Sequence, residues 1–269
     1  MGPKPLDVDL LLTGRGGSLS SERVGFGFAQ GAGILGLCGP SGSGKTTIMR
    51  VMAGLSSRAS GRVSVDGECW FDSAQGVGLP FECRSVAYLP QGASLFPHMN
   101  VRENLLFAAR LEERARSGQR SPRTLIIDLL RSFRAGRGLP GWAEEIIEIF
   151  GVSDFLEQGS RELSGGEVAR IALARCFLRS ARLYLLDEPF SGLDPESRFS
   201  LGQTLSGLLN KRQAMALLVT HTPEEICSLA QGMVRLFPDR DDSRNPARMR
   251  PTGRGRETGS TVFFSGGPE

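Results

Sequence analysis

The eight residues Gly39-Pro40-Ser41-Gly42-Ser43-Gly44-Lys45-Thr46 fit the pattern G-x-x-x-x-G-K-[ST] at every fixed position. Their flanks constrain the fold. Ile34-Leu35-Gly36-Leu37-Cys38, just before them, is almost wholly apolar, which suits a strand buried on both faces. Thr46 to Ala53, just after them, reads as a helix. A buried strand, a Gly-rich turn and a helix in direct succession predict an α/β fold and a nucleotide binder. The glycines let the backbone curl so that several N–H groups converge on phosphate oxygens. The helix N-terminus adds a positive dipole end. Lys45 supplies a compact charge for the β- and γ-phosphates, and the Thr46 hydroxyl is a ligand for Mg²⁺.

The rest of the chain alternates between two kinds of pattern. Residues 6–12 alternate with period 2 and predict a strand, closed by a Gly/Ser-rich turn at residues 14–18. Val24, Phe26 and Phe28 share one face of a second strand, and residues 62–72 and 84–89 read as further strands. From about 101 to 180 the period is helical. Leu125, Ile126, Leu129, Leu130 and Phe133 line one helix face, and Ile146, Ile147, Ile149 and Phe150 line another. A breaker stretch, Ala135 to Gly141, separates them. Buried-strand patterns resume at Leu183–Leu186 and Met215–Thr220, so a helical subdomain is expected inside an α/β core. The tail from Pro238 is polar and rich in Arg, Gly, Ser and Pro, and predicts disorder.

Composition excludes several classes. Of 269 residues, 32 are Lys or Arg and 29 are Asp or Glu, a near balance that is a weak footprint for nucleic acid. The longest apolar runs, such as Met215–Val219, are far short of the ~20 residues of a membrane span. No basic stretch followed by an apolar one opens the chain, so no signal peptide is expected and any membrane role is borrowed from a partner. Five cysteines without a C-x-x-C pair, and only two histidines, predict free thiols in a reducing compartment. Only Lys4, Lys45 and Lys211 are lysines. Residues 110–137 hold eight arginines against Glu112, Glu113 and Asp128, a local +5 that leaves −2 for the remainder. That stretch reads as a solvated arm or as a contact for an anionic membrane surface.

A second acidic motif complements the phosphate loop. Leu183-Tyr184-Leu185-Leu186 ends in Asp187 and Glu188. A carboxylate at the tip of a buried strand can meet Mg²⁺, which is the role expected of Asp187. Glu188 is placed to accept a proton from an attacking water.

Leu163-Ser164-Gly165-Gly166-Glu167, followed by Val168-Ala169-Arg170, resembles the signature motif of the ATP-binding-cassette (ABC) ATPases, and Ser164 stands 23 residues before Asp187. Ser191-Gly192-Leu193-Asp194 resembles that family's D-loop. His221 resembles its switch histidine and Gln91 its Q-loop glutamine. The resemblance covers roughly residues 1–237. It implies a P-loop NTPase (RecA-like) core with an N-terminal antiparallel β subdomain, over about 1–91 and 165–237. It also implies an inserted helical subdomain over about 92–164, itself carrying an insertion near 110–142. It implies a homodimer or paired cassette with ATP held between two subunits. Residues 39–47, Thr47 included, would bind ATP from one side, and Ser164, Gly165, Gly166 and Asp194 from the other. Glu188, His221 and Gln91 would be catalytic, and Thr46, Gln91 and Asp187 would hold Mg²⁺.

Two departures from the family pattern bear on specificity. No Phe, Tyr or Trp occurs between Leu11 and Arg23, where an adenine-stacking ring is usual, so loose base selectivity is expected. Glu167 and Ala169 stand where Gln is common. Trp70-Phe71-Asp72-Ser73, Gly78-Leu79-Pro80, Arg84 and the run Gln91–Leu105 look most like the ATPase subunits of molybdate importers. Leu95-Phe96-Pro97-His98 is also similar to sulfate, iron and polyamine importers. The resemblance thus implies a peripheral subunit on the cytoplasmic face of the inner membrane. Its partners would be integral-membrane permease subunits and, indirectly, a solute-binding protein, with no nucleic acid. An importer of another solute and a soluble non-transport ABC ATPase remain the alternatives.

Overall fold

The computed structural model describes residues 5–12, 22–29, 31–92, 95–117, 138–220, 228–236, 257–258 and 261–265. His221, the predicted helix through Leu125 and Phe133, and most of the Arg-rich stretch lie outside the described residues. The chain is mixed α/β with two sheets. It divides into two compact units. The first comprises Met1–Val86, Arg182–Asp187 and Leu208–Glu269, and the second comprises Ala87–Ala181 and Glu188–Gly207.

In the first unit, β1 (Leu6–Leu12) pairs antiparallel with β2 (Glu22–Phe28), Val8 opposite Phe26 and Leu10 opposite Val24. The period-2 pattern is realised: Leu6, Val8, Leu10 and Leu12 are buried, while Asp7 and Leu11 face solvent. β3 (Gly33–Cys38) leads into α1 (Lys45–Met52). β4 (Ala59–Val65), β5 (Glu68–Asp72) and β6 (Val77–Gly78) complete an antiparallel sheet in the order β2-β1-β4-β5-β6. The run 62–72, read above as one strand, is two. Asp66 and Gly67 have φ of 49° and 80° and turn the chain between the paired Val65 and Glu68. Two positive φ values in a two-residue loop match the right-handed twist of the strands they join.

β7 (Val86–Leu89) leads into the second unit, which contains α2 (Val101–Arg116), α3 (Gly141–Ile149) and α4 (Gly165–Phe177). The expected stripe holds at three of its four positions. Ile146, Ile147 and Phe150 are buried together with Leu105, Leu106, Ile171 and Phe177, while Ile149 is only half-buried, and the rings of Phe150 and Phe177 lie 5.6 Å apart. α2 packs on α4 and α3 packs on α4.

The chain returns to the first unit at β8 (Leu183–Asp187). α5 (Pro195–Arg212) runs from the second unit back to the first, and β9 (Met215–Val219) and β10 (Gly232–Leu236) follow. β10, β3, β9 and β8 lie side by side and parallel. Every residue of β3, β8 and β9 is buried, which is why their sequences are continuous apolar runs. β11 (Glu257–Thr258) and β12 (Thr261–Ser265) extend this sheet, with β12 antiparallel to β10. Both fall in the tail expected to be disordered. The local run Thr261-Val262-Phe263-Phe264 has high strand preference, which the average composition of the tail concealed. Among the described residues no helix is long and apolar enough to cross a membrane.

Candidate nucleotide site

The first unit carries the phosphate loop on the end of β3. α1 opens at Gly44 with φ 86°, no side-chain cap and no acid in its first turn. Such an N-terminus is suited to an anion. The loop is crowded at Gly39 and Gly44. A Cβ on Gly39 would come within 2.8 Å of Ser43 Oγ and 2.9 Å of the Leu236 carbonyl oxygen, and one on Gly44 within 2.7 Å of Leu12 Cδ1. Lys45 Nζ donates to the carbonyls of Gly39 and Pro40, at 2.8 Å each, so the ammonium is held within the loop. Ser43 is 3% exposed, and its Oγ has no hydrogen-bond partner among the described residues. Buried hydroxyls are normally satisfied. An orphan hydroxyl inside a loop of this kind fits a phosphate oxygen as its missing partner. Pro40, Ser41 and Gly42 complete the exposed outer part of the loop, and Thr47 follows within α1.

Thr46 Oγ1 donates to Asp187 Oδ2 at 3.0 Å. Asp187 ends β8 and is 2% exposed. The fold thus brings together two oxygen donors that are remote in sequence. A hydroxyl and a carboxylate form the hard donor set that Mg²⁺ prefers, and the residues fit that ion.

Arg84, quoted above only as part of a resemblance, proves to hold α1 in place. Its guanidinium is buried, 5.9 Å from the Trp70 ring centroid. It donates to the carbonyls of Val51, Met52 and Leu79 at 2.7 Å and of Trp70 at 3.0 Å. Val51 and Met52 are the last residues of α1, so the cation also meets the negative end of that helix. Burial pulls the Arg84 pKa below the usual arginine value. A lone Arg before a strand gives no sign of this in the sequence.

The second unit carries Gln91, Glu188, Asp194 and the Ser164–Gly166 turn, while His221 lies outside the described residues. Glu188 directly follows Asp187 and has φ 53°, a left-handed conformation that a glutamate adopts only under constraint. Gln91 Nε2 donates to Glu188 Oε1 at 3.0 Å, so these two predicted catalytic residues meet. Ser164 caps α4. Its Oγ accepts from Glu167 N at 3.4 Å while the Glu167 carboxylate accepts from Ser164 N at 2.7 Å. The Ser164 N–H, then its hydroxyl, then the charge of Arg170 hold the Glu167 carboxyl below the ordinary glutamate range. Gly165 and Gly166 face the segment Ser191–Asp194: a Cβ on Gly166 would lie 3.1 Å from Leu193 Cδ2, and one on Gly192 would lie 3.8 Å from the Gly165 backbone. Asp194 Oδ1 accepts from Ser197 N at 2.9 Å, a bond that lowers its pKa.

A family model described as ABC transporter matches residues 22–191. The Molybdenum import ATP-binding protein ModC of Albidiferax ferrireducens is 39% identical over 206 residues, which cover 77% of this chain and 50% of that protein. ModC 1 of Azotobacter vinelandii is 37% identical over 231 residues, 86% of this chain and 53% of the relative. ModC of Aromatoleum aromaticum is 35% identical over 241 residues, 90% and 54% respectively. The chain spans about half the length of these curated relatives. The matched stretch takes in the phosphate loop, Gln91, the Ser164–Gly166 turn and the Asp187–Glu188 pair, and the chain belongs to the ABC transporter family.

Proposed function

We propose that this chain is the ATP-hydrolysing subunit of an ABC importer whose solute is molybdate or a related oxyanion. The observation that carries the reading is the contact between Thr46 and Asp187 beside a buried Ser43 hydroxyl that has no partner among the described residues. It supplies a Mg²⁺ ligand pair and a phosphate donor in one place. The names of the relatives, all molybdenum import ATP-binding proteins, support the choice of solute.

In this reading residues 1–237 form the ABC ATPase domain. Its core is RecA-like and bears the antiparallel β subdomain. A helical subdomain spans about 92–164, and the tail from 238 contributes no catalytic group. The loop N–H groups, Ser43 and Lys45 hold the β- and γ-phosphates of ATP, and Thr46, Asp187 and Gln91 hold Mg²⁺. The ion supplies charge neutralisation on the phosphates. Glu188 takes the proton of the attacking water, oriented by the Gln91 amide on its Oε1. His221 orients the γ-phosphate. Ser164, Gly165, Gly166 and Asp194 of a second copy, or of a paired cassette, close over the nucleotide. Closure is transmitted to integral-membrane permease subunits at the cytoplasmic face of the inner membrane, which receive solute from a binding protein on the far side.

One substitution tests both levels. In purified Glu188→Gln protein, kcat falls by about 10²- to 10⁴-fold, the usual contribution of a general base. ATP binding persists and ATP-bound dimers accumulate on size-exclusion chromatography. Cells relying on this variant lose uptake of labelled molybdate. Unchanged turnover overturns the role of Glu188, and uptake that is lost for another solute but kept for molybdate overturns the choice of substrate.

A further inference from the structure

Asn104, in the first turns of α2, is 0% exposed and is the most heavily bonded side chain of the second unit among the described residues. Its Oδ1 accepts from Phe96 N at 2.8 Å and from Arg175 Nη1 at 3.1 Å. Its Nδ2 faces the Asn100 carbonyl at 2.9 Å, Ser160 Oγ at 3.1 Å, and the carbonyls of Phe96 and Met99 at 3.3 and 3.4 Å. Ser160 Oγ donates to the Met99 carbonyl at 2.5 Å. One amide therefore gathers the loop Leu95–Asn100, the segment before the Ser164 turn, and α4. Backbone bonds reinforce the second link: Val101 N donates to Gln158 O at 3.1 Å and Arg102 N to Leu156 O at 2.8 Å.

Arg175 makes the third link twice. Besides its bond to Asn104, its guanidinium lies 5.1 Å over the Phe96 ring, and that ring meets Phe107 edge to face at 5.1 Å. Arg175 belongs to the last turn of α4, and the Gly165-Gly166 turn begins the same helix. Thirteen residues at about 1.5 Å each make α4 a rod of about 20 Å. One end is pinned to the loop and the other presents the Ser164 turn. Breaking the pin would strand a buried amide, so loop and helix move together rather than separately.

We infer that Asn104 and Arg175 are positioning residues for the Ser164–Gly166 turn: through them the loop Leu95–Asn100 sets the direction in which α4 presents that turn to nucleotide. The inference rests on the reading of Ser164–Gly166 as the nucleotide surface met by a second copy. Neither residue touches ATP in this scheme, and the phosphate loop lies in the other unit.

The test uses the full chain with Mg²⁺ and ATP, and the variants Asn104→Leu, Arg175→Met and Arg175→Lys. Affinity for a fluorescent ATP analogue at protein concentrations too low for dimers should stay within about twofold of the parent, while kcat falls about tenfold or more. In a Glu188→Gln background the ATP-bound dimer should be depleted in parallel, and Arg175→Lys should recover part of both. Should Asn104→Leu melt at assay temperature, the two Arg175 variants decide. A nucleotide affinity that weakens in step with kcat means a general structural defect and overturns the inference. So does an undisturbed dimer with undisturbed kcat in the folded variants. A Glu188→Gln parent that forms no ATP-bound dimer overturns the underlying two-subunit reading, and this inference with it.

Discussion

Two helix N-termini in this protein are proposed to meet phosphate, and they are finished in opposite ways. α1 starts at Gly44 with no side-chain cap and no acid. α4 starts at Ser164 with a complete capping box, its Ser164 N–H already given to the Glu167 carboxylate. An uncapped terminus forgoes stabilisation that a cap normally supplies, about 1 kcal/mol. α1 tolerates this because it is anchored elsewhere: Ile48, Met49, Val51 and Met52 are 0% exposed, and Arg84 binds its far end. α4 is self-sufficient at its N-terminus, with Ser164, Gly165 and Glu167 near solvent, and it presents a negative charge to any arriving phosphate. The first terminus leaves its N–H groups without a side-chain cap, and the second is closed by its own capping box.

Three substitutions break or sharpen this contrast. Lys45→Met removes the one cation of the phosphate loop. Affinity of the isolated protein for ATP should fall by about ten- to a hundredfold by calorimetry, the range for a lost charge-assisted hydrogen bond. If binding survived, the loop would not be the primary nucleotide site.

Ser43→Ala should separate stability from binding. Deleting a buried hydroxyl that lacks a partner among the described residues leaves the thermal midpoint of nucleotide-free protein unchanged or higher, while ATP affinity weakens about tenfold. Loss of stability without loss of affinity would mean the hydroxyl serves the loop and not the ligand.

The smallest effect is at the other terminus. Glu167→Gln keeps the shape of the box and deletes its charge, so ATP-driven dimer formation should improve about two- to threefold, and more at low salt. The substitution also carries a pH signature. The Glu167 carboxyl is held below its ordinary pKa in the folded chain, so its contribution to stability is present above the ordinary glutamate value. That contribution is lost as pH falls through the lowered folded value. Melting curves at neutral and acid pH should show a steeper acid loss in the parent than in Glu167→Gln, and identical slopes would refute the cap as a charge device.

The legibility of this molecule follows the range of its interactions. The phosphate loop, the apolar strands β3, β8 and β9, and the stripe of α3 were readable because each is a statement about neighbours in the chain. Asp187 and Glu188 stood out as candidates because two acids end a buried strand in a chain that also carries a phosphate loop. The turn at Asp66-Gly67 carried a usable signal, an Asp-Gly pair, but the surrounding alternation suggested an unbroken strand. β12 was masked by the polar composition around it. Asn104 gave no signal at all, since a polar residue in an amphipathic helix ordinarily marks the solvent side, and only packing against α4 and residue 160 buries it. Nor does a glutamate advertise that its backbone will be left-handed, as that of Glu188 is.

The sequence by itself determined which residues are the candidates for the chemistry, because the phosphate loop, the acidic strand end and the Ser164 turn are each contiguous stretches. The tertiary structure alone decided which of them meet. Thr46 reaches Asp187 across 141 positions and Asn104 reaches Arg175 across 71. The parallel strands and packed helices that create these contacts order the chain by burial and register, which spacing along the sequence does not encode.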